Sequence, residues 1–148
     1  MGRLRKFWSL TRSEKKFLWE ASILLCLSNA SVKTIAFRHI DRFLRSHWNQ
    51  FTRDGANREQ EIKLVRLSIS RAARVLPWKS RCLSQSIAEF IMLRRRGIPA
   101  AMFAGARFSG SSLEAHAWVD TSLRENDAGS ENSGFTTVIK IGPGAVER

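Results

Sequence analysis

Only two cysteines occur in the 148 residues, Cys26 and Cys82, too few for a disulfide framework. Cys26 sits in the apolar run Leu24-Leu25-Cys26-Leu27, where a buried, inert thiol is expected. Cys82 sits in the more polar Arg81-Cys82-Leu83-Ser84-Gln85. These different neighbourhoods argue against a structural pair and for a reducing compartment. No Cys-x-x-Cys or histidine-rich spacing points to a metal site, and no cofactor is expected. The apolar run Phe17 to Leu27 is interrupted by Glu20 and falls well short of the roughly 20 residues of a membrane span. Ser28-Asn29-Ala30 matches a signal-peptide cleavage site only loosely. Thr11-Arg12-Ser13-Glu14 fits a helix capping box instead, which predicts an ordinary helix start and a cytoplasmic protein. Internal repeats are lacking too.

Acidic residues are scarce: 13 stand against 25 lysines and arginines, for a net charge of +12. The basic residues run from Arg3, Arg5 and Lys6 through to Arg94, Arg95 and Arg96. Such a surface attracts nucleic acid, acidic peptides or anionic lipid without specifying which. No nucleic-acid recognition motif accompanies the charge, so no specific nucleic-acid partner is expected. Membrane association is compatible with it but not predicted, and a merely solvated basic face is the plain alternative. At 43% hydrophobic and 26% charged the composition is that of a globular chain, long enough to bury one core without disulfides or metals.

The first half reads as helical. Thr11 can cap a helix carrying Phe17, Leu18, Ile23, Leu24, Leu25 and Leu27, ending near Ser28-Asn29. A second helix is expected from Val32 to about Phe51, and a third from Glu59 to Val75, stopped by Pro77. The glycine-containing stretch Thr52 to Asn57 between them reads as a loop. A fourth helix is expected from Arg81 or Cys82 to Arg96, with Gly97 as its left-handed cap and Arg94 to Arg96 at the negative end of its dipole. Extended segments follow at Ala101 to Phe108, Leu113 to Thr121 and Phe135 to Ile141, with a turn at Ser109 to Ser112. Helices first and an antiparallel sheet later predict an α+β fold. The expected division is a helical extension over 1–58 and a core over 59–148, the two forming one compact unit.

A thiol nucleophile needs its thiolate form, which a helix N-terminus favours, and a base within reach, itself oriented by a third group. Cys82 lies where a helix should begin. Of the three histidines, His39 and His47 lie in the basic second helix without accompanying carboxylates, and read as solvated or partly buried helix residues. His116 lies in Glu114-Ala115-His116-Ala117-Trp118-Val119-Asp120, which alternates strictly. Leu113, Ala115, Ala117 and Val119 should face the core, leaving Glu114, His116, Trp118 and Asp120 on the other face. A histidine followed on its own face by Trp118 could line a cleft floored by an aromatic ring, although a satisfied structural histidine looks much the same.

A cysteine opening a helix, then a strand with His-Ala-Trp-Val, then a carboxylate, resembles the transglutaminase-like cysteine peptidases. The closer resemblance is to the leader peptidases of lasso-peptide biosynthesis, carried by Trp78, Arg81-Cys82-Leu83, Leu93-Arg94-Arg95-Arg96-Gly97-Ile98 and Ala115-His116-Ala117-Trp118-Val119-Asp120. It covers about residues 62 to 127. It implies Cys82 as nucleophile, His116 as base and Asp127 as the residue that orients the imidazole. Asn126-Asp127 stands one residue short of the family's usual spacing and lacks its glycine. Asp120 is the rival, on the face of His116 but about 13 Å from it along the strand. Backbone N–H groups at the start of the Cys82 helix are the natural oxyanion donors. Gln85, about one turn beyond Cys82, is a supporting contact or a plain surface residue.

The resemblance further implies a stand-alone enzyme that cuts the leader from a ribosomal precursor peptide. Its implied partners are a separate leader-binding recognition protein and an ATP-dependent macrolactam cyclase. The N-terminal helices, with Phe7, Trp8, Phe17 and Trp19, would either dock that recognition protein or simply cover the peptidase core. Two alternatives stay open: an acyltransferase using the same triad, and a non-catalytic basic binding module.

Overall fold

The computed structural model describes residues 11–46, 57–77, 82–121 and 134–142. Four helices come first: α1 (Arg12–Thr34), α2 (Phe37–Ser46), α3 (Arg58–Val75) and α4 (Cys82–Arg95). Three strands follow, β1 (Ala101–Ser109), β2 (Ser112–Asp120) and β3 (Thr136–Ile141), in one antiparallel sheet ordered β2-β1-β3. The architecture is the expected α+β one.

Helix α1 starts at its capping box. The Glu14 N–H donates to Thr11 Oγ1 at 3.3 Å, and the Thr11 N–H donates to the Glu14 carboxylate at 2.9 Å. The Thr11 backbone N–H foremost, and then its hydroxyl at 3.0 Å, donate to the Glu14 carboxylate and hold it below its ordinary range. The helix does not end near Ser28-Asn29 but continues to Thr34. Ser28 and Asn29 are buried against the core rather than placed in a turn, and Thr34 Oγ1 donates back to the Ala30 carbonyl. The second helix accordingly begins at Phe37 instead of Val32, and its expected extension to Phe51 lies outside the described residues.

One apolar cluster joins the layers. Leu25 of α1, Leu44 of α2, Val65 and Ile69 of α3, Phe90 and Leu93 of α4, and Met102, Val119 and Ile141 of the sheet all belong to it. Core residues from both sides of the 58/59 boundary therefore pack together. Leu25→Ala is expected to lower the unfolding free energy by about 2–5 kcal/mol, the usual range for a buried leucine. A urea titration would measure it, and a loss below about 1 kcal/mol would place α1 outside the shared core.

Gly97 ends α4 at φ 70°, with the Ile98 N–H reaching the Leu93 carbonyl at 3.1 Å. The basic end of α4 does more than complement its dipole: Arg95 and Arg96 both pair with Glu20 and so fasten it to α1. Five residues then connect α4 to β1. α4 packs on both β1 and β2, which run antiparallel to each other.

The expected alternation of β2 is not seen in burial. Ala117, Trp118 and Val119 are all buried, the ring of Trp118 being covered by its aromatic neighbours, while Leu113 is 64% exposed and Ala115 is exposed as well. Phe108, paired with Leu113 across the hairpin, is 80% exposed. The expected apolar face thus outruns the helices: the hairpin tip projects past the residues that cover its base.

Candidate active site

Cys82 is the first residue of α4. At that position the helix's leading N–H groups have no intrahelical acceptors, so the positive end of its dipole lies at the thiol. The thiol is free and half-buried. Cys26, expected to be buried, is likewise free and only half-buried.

A cleft of about 660 Å³ lies between α3, α4 and β2. From α4 it takes Cys82, Gln85, Ser86 and Glu89, which share one helical face at three- and four-residue steps. From β2 it takes His116 to Asp120, with Thr121 just beyond, and from α3 Arg66, Ile69 and Ser70. Cys82 and His116, 34 residues apart in the chain, therefore line one cavity. No hydrogen bond joins the thiol to the imidazole among the described residues. Gln85 is a cleft residue rather than a plain surface one. His39 lies instead in a separate apolar groove between α1, α2 and α4, and His47 falls outside the described residues.

Aromatic rings fix the imidazole. His116 stacks on Trp118 with ring centroids 6.0 Å apart and 16° between planes, and Phe135 tilts against it at 5.5 Å. Phe103 also stacks on Trp118, at 5.7 Å. The strand alternation explains His116 over Trp118. Phe135, read from the sequence only as the start of a strand, comes in from β3's approach and gave no such signal. Asp120 also lines the cleft, on the His116 face. Asp127, with Trp78 and Arg81, lies outside the described residues.

Sequence reading also missed Arg66 and Glu89. Arg66 Nε donates to Glu89 Oε1 at 2.8 Å, and Arg66 Nη2 donates to the Val119 carbonyl at 3.4 Å. A neighbouring arginine, Arg58, donates to the Thr121 carbonyl at 3.0 Å. Desolvation raises the Glu89 carboxyl pKa, and Arg66 only partly offsets it. A group whose folded pKa is raised stabilises the fold below its unfolded pKa and loses that contribution as pH rises through the folded one. Glu89→Gln should therefore gain stability relative to wild type on going from pH 4 to pH 7, a trend that urea titrations at both pH values would reveal. An unchanged difference would mean the carboxyl titrates alike in the folded and unfolded chains.

Among the described residues no three or more His, Cys, Asp and Glu side chains are grouped to hold a metal, and no helix is long and apolar enough to cross a membrane. A family model described as the transglutaminase-like superfamily matches residues 24–140. The chain belongs to the transglutaminase-like superfamily. Its members are mostly cysteine-dependent peptidases and acyltransferases, and the match takes in Cys82 and His116 together with the helices and strands that carry them. No curated protein and no solved structure matches the chain significantly.

Proposed function

We propose that this transglutaminase-like protein is a cysteine peptidase that removes the leader from a ribosomally made lasso-peptide precursor. The observation that carries the chemistry is the convergence of Cys82, at a helix N-terminus, and His116, on a strand, in one cleft. The substrate class rests on the resemblance of the blocks around Cys82, Arg94 to Gly97 and His116 to lasso-peptide leader peptidases.

The steps follow from those groups. His116 takes the thiol proton of Cys82. The thiolate attacks the scissile carbonyl, and N–H groups at the start of α4 hold the oxyanion. As the C–N bond breaks, His116 returns its proton to the departing amine, leaving a thioester on Cys82. Water, deprotonated by His116, then attacks the thioester and frees the leader's carboxylate and the thiol. Asp127 keeps the imidazole in the required tautomer and orientation. The enzyme acts in the cytoplasm beside a separate leader-binding recognition protein, and its product passes to an ATP-dependent macrolactam cyclase.

Mass spectrometry of a precursor peptide tests this, using wild type and Cys82→Ala with and without the recognition protein. Leader release by wild type, absent in Cys82→Ala and enhanced by the recognition protein, is the expected result. Release that persists in Cys82→Ala would falsify the nucleophile assignment. A labelled amine added to the assay separates the chemistry: hydrolysis yields free leader acid, whereas an acyltransferase yields the amine conjugate.

A further inference from the structure

Bringing Cys82 level with His116 requires α4 and β2 to keep a fixed longitudinal register. Directional bonds set such a register more tightly than aliphatic packing, and one residue of α3 supplies them to both elements. Arg66 donates through Nε to Glu89 of α4 and through Nη2 to the Val119 carbonyl of β2. The guanidinium is planar, so bonds from two of its nitrogens fix the relative placement of their acceptors.

The spacing is matched on the two sides. Glu89 stands seven residues beyond Cys82, about 10.5 Å along a helix rising 1.5 Å per residue. Val119 stands three residues beyond His116, about 10 Å along a strand. Glu89 and Val119 therefore stand nearly equally far, along their own elements, from Cys82 and His116, and all four residues line one cleft. A slip of one strand residue would displace them by about 3.3 Å, more than hydrogen-bond geometry tolerates.

We infer that Arg66 is a positioning residue that clamps the nucleophile helix to the histidine strand, with Glu89 as its anchor on the helix. The inference rests on the reading of Cys82 and His116 as the reacting pair. Glu89 is partly buried, with 18% of its side chain exposed, and Arg66, itself half exposed, is the cation that offsets part of its desolvation. Arg58 offers a built-in comparison: it bonds the Thr121 carbonyl just past β2 and, among the described residues, no residue of α4.

The test reads Cys82 itself, with no peptide substrate. In a Cys26→Ser background, the rate of iodoacetamide alkylation is followed against pH and compared with that of a short cysteine peptide. Wild type should react about tenfold faster than the peptide near pH 6, and His116→Ala should remove the excess. Arg66→Gln and Glu89→Ala should fall to the peptide rate while circular dichroism stays native. Glu89→Gln, which keeps an oxygen acceptor for Arg66, and Arg58→Gln should stay within about twofold of wild type. A natively folded Arg66→Gln that keeps the wild-type profile overturns the clamp. If Arg66→Gln does not fold, the Glu89→Ala and Glu89→Gln pair decides, and equal rates for the two overturn it. A wild type with no excess, or an excess that survives His116→Ala, defeats the proposed function instead.

Discussion

His116→Ala is expected to slow leader release by about two to four orders of magnitude, the span that a positioned general acid–base contributes. The same group is asked to act three times: it takes the thiol proton, gives it to the departing amine, and takes a proton from water. Its loss should therefore depress both formation and hydrolysis of the thioester. The imidazole is stacked on Trp118 and tilted against Phe135, so alanine leaves the aromatic pair in place and the cleft walls standing. Stopped-flow assays of single turnovers with the precursor peptide would read the acylation step apart from the rest. A loss smaller than about tenfold, with the fold intact, would demote His116 to a structural ring. The third member can be decided in the same assay. Asp127→Asn should slow the reaction and shift its pH profile, while Asp120→Asn should leave that profile near wild type; the reverse pattern would transfer the orienting role to Asp120.

Local signals in the sequence were good guides where local forces decide. The capping box at Thr11 and Glu14, the left-handed Gly97 and the glycine-containing turn after Ser109 stand where the residue types place them. They failed where tertiary packing wins. Ser28-Asn29 reads as a helix stop, yet both residues are buried within a helix that continues to Thr34. Leu113 and Ala115 carry the core pattern of β2, but a strand longer than the helices covering it leaves its tip in water.

The candidate site divides in the same way. Cys82 was legible because the residues around it announce a helix start, and His116 because alternation puts it over Trp118. That the two line one cleft was not a local property: it follows from the packing of α4 against β2, which the β1–β2 hairpin returns to the helix. Glu89 shares the Cys82 face of α4 at a spacing of seven and could have been marked on that ground. Arg66 and Phe135 could not, because each arrives from an element that no periodicity in α4 or β2 describes.

Gly105→Ala is the substitution in the sheet with the largest expected consequence for both fold and site. Gly105 is the cross-strand partner of His116, and the pairing of β1 with β3 shifts register between Ala104 and Gly105. A Cβ there would lie 2.7 Å from the Thr136 carbonyl oxygen and 3.2 Å from the Trp118 ring. The first contact is with backbone, which cannot swing aside as a long side chain does. Either β3 retreats and weakens its ladder, or β1 turns and drives the new methyl into the ring on which His116 stacks. Overpacking of this kind costs about 1–3 kcal/mol, and a small displacement of a reacting group can cost about 10²-fold in rate. Gly105→Ala is thus expected to lower stability by that amount and to slow leader release by at least about tenfold. Gly110→Asn gives the contrast: its φ of +62° suits asparagine, and among the described residues no atom beyond its chain neighbours lies within 4 Å of the position a Cβ would take. It should leave stability and rate near wild type. Urea titration and the cleavage assay on both variants measure the difference. A Gly105→Ala protein as stable and active as Gly110→Asn would mean that β3 can yield at Thr136 without moving Trp118, and that the imidazole is held by something other than this stack.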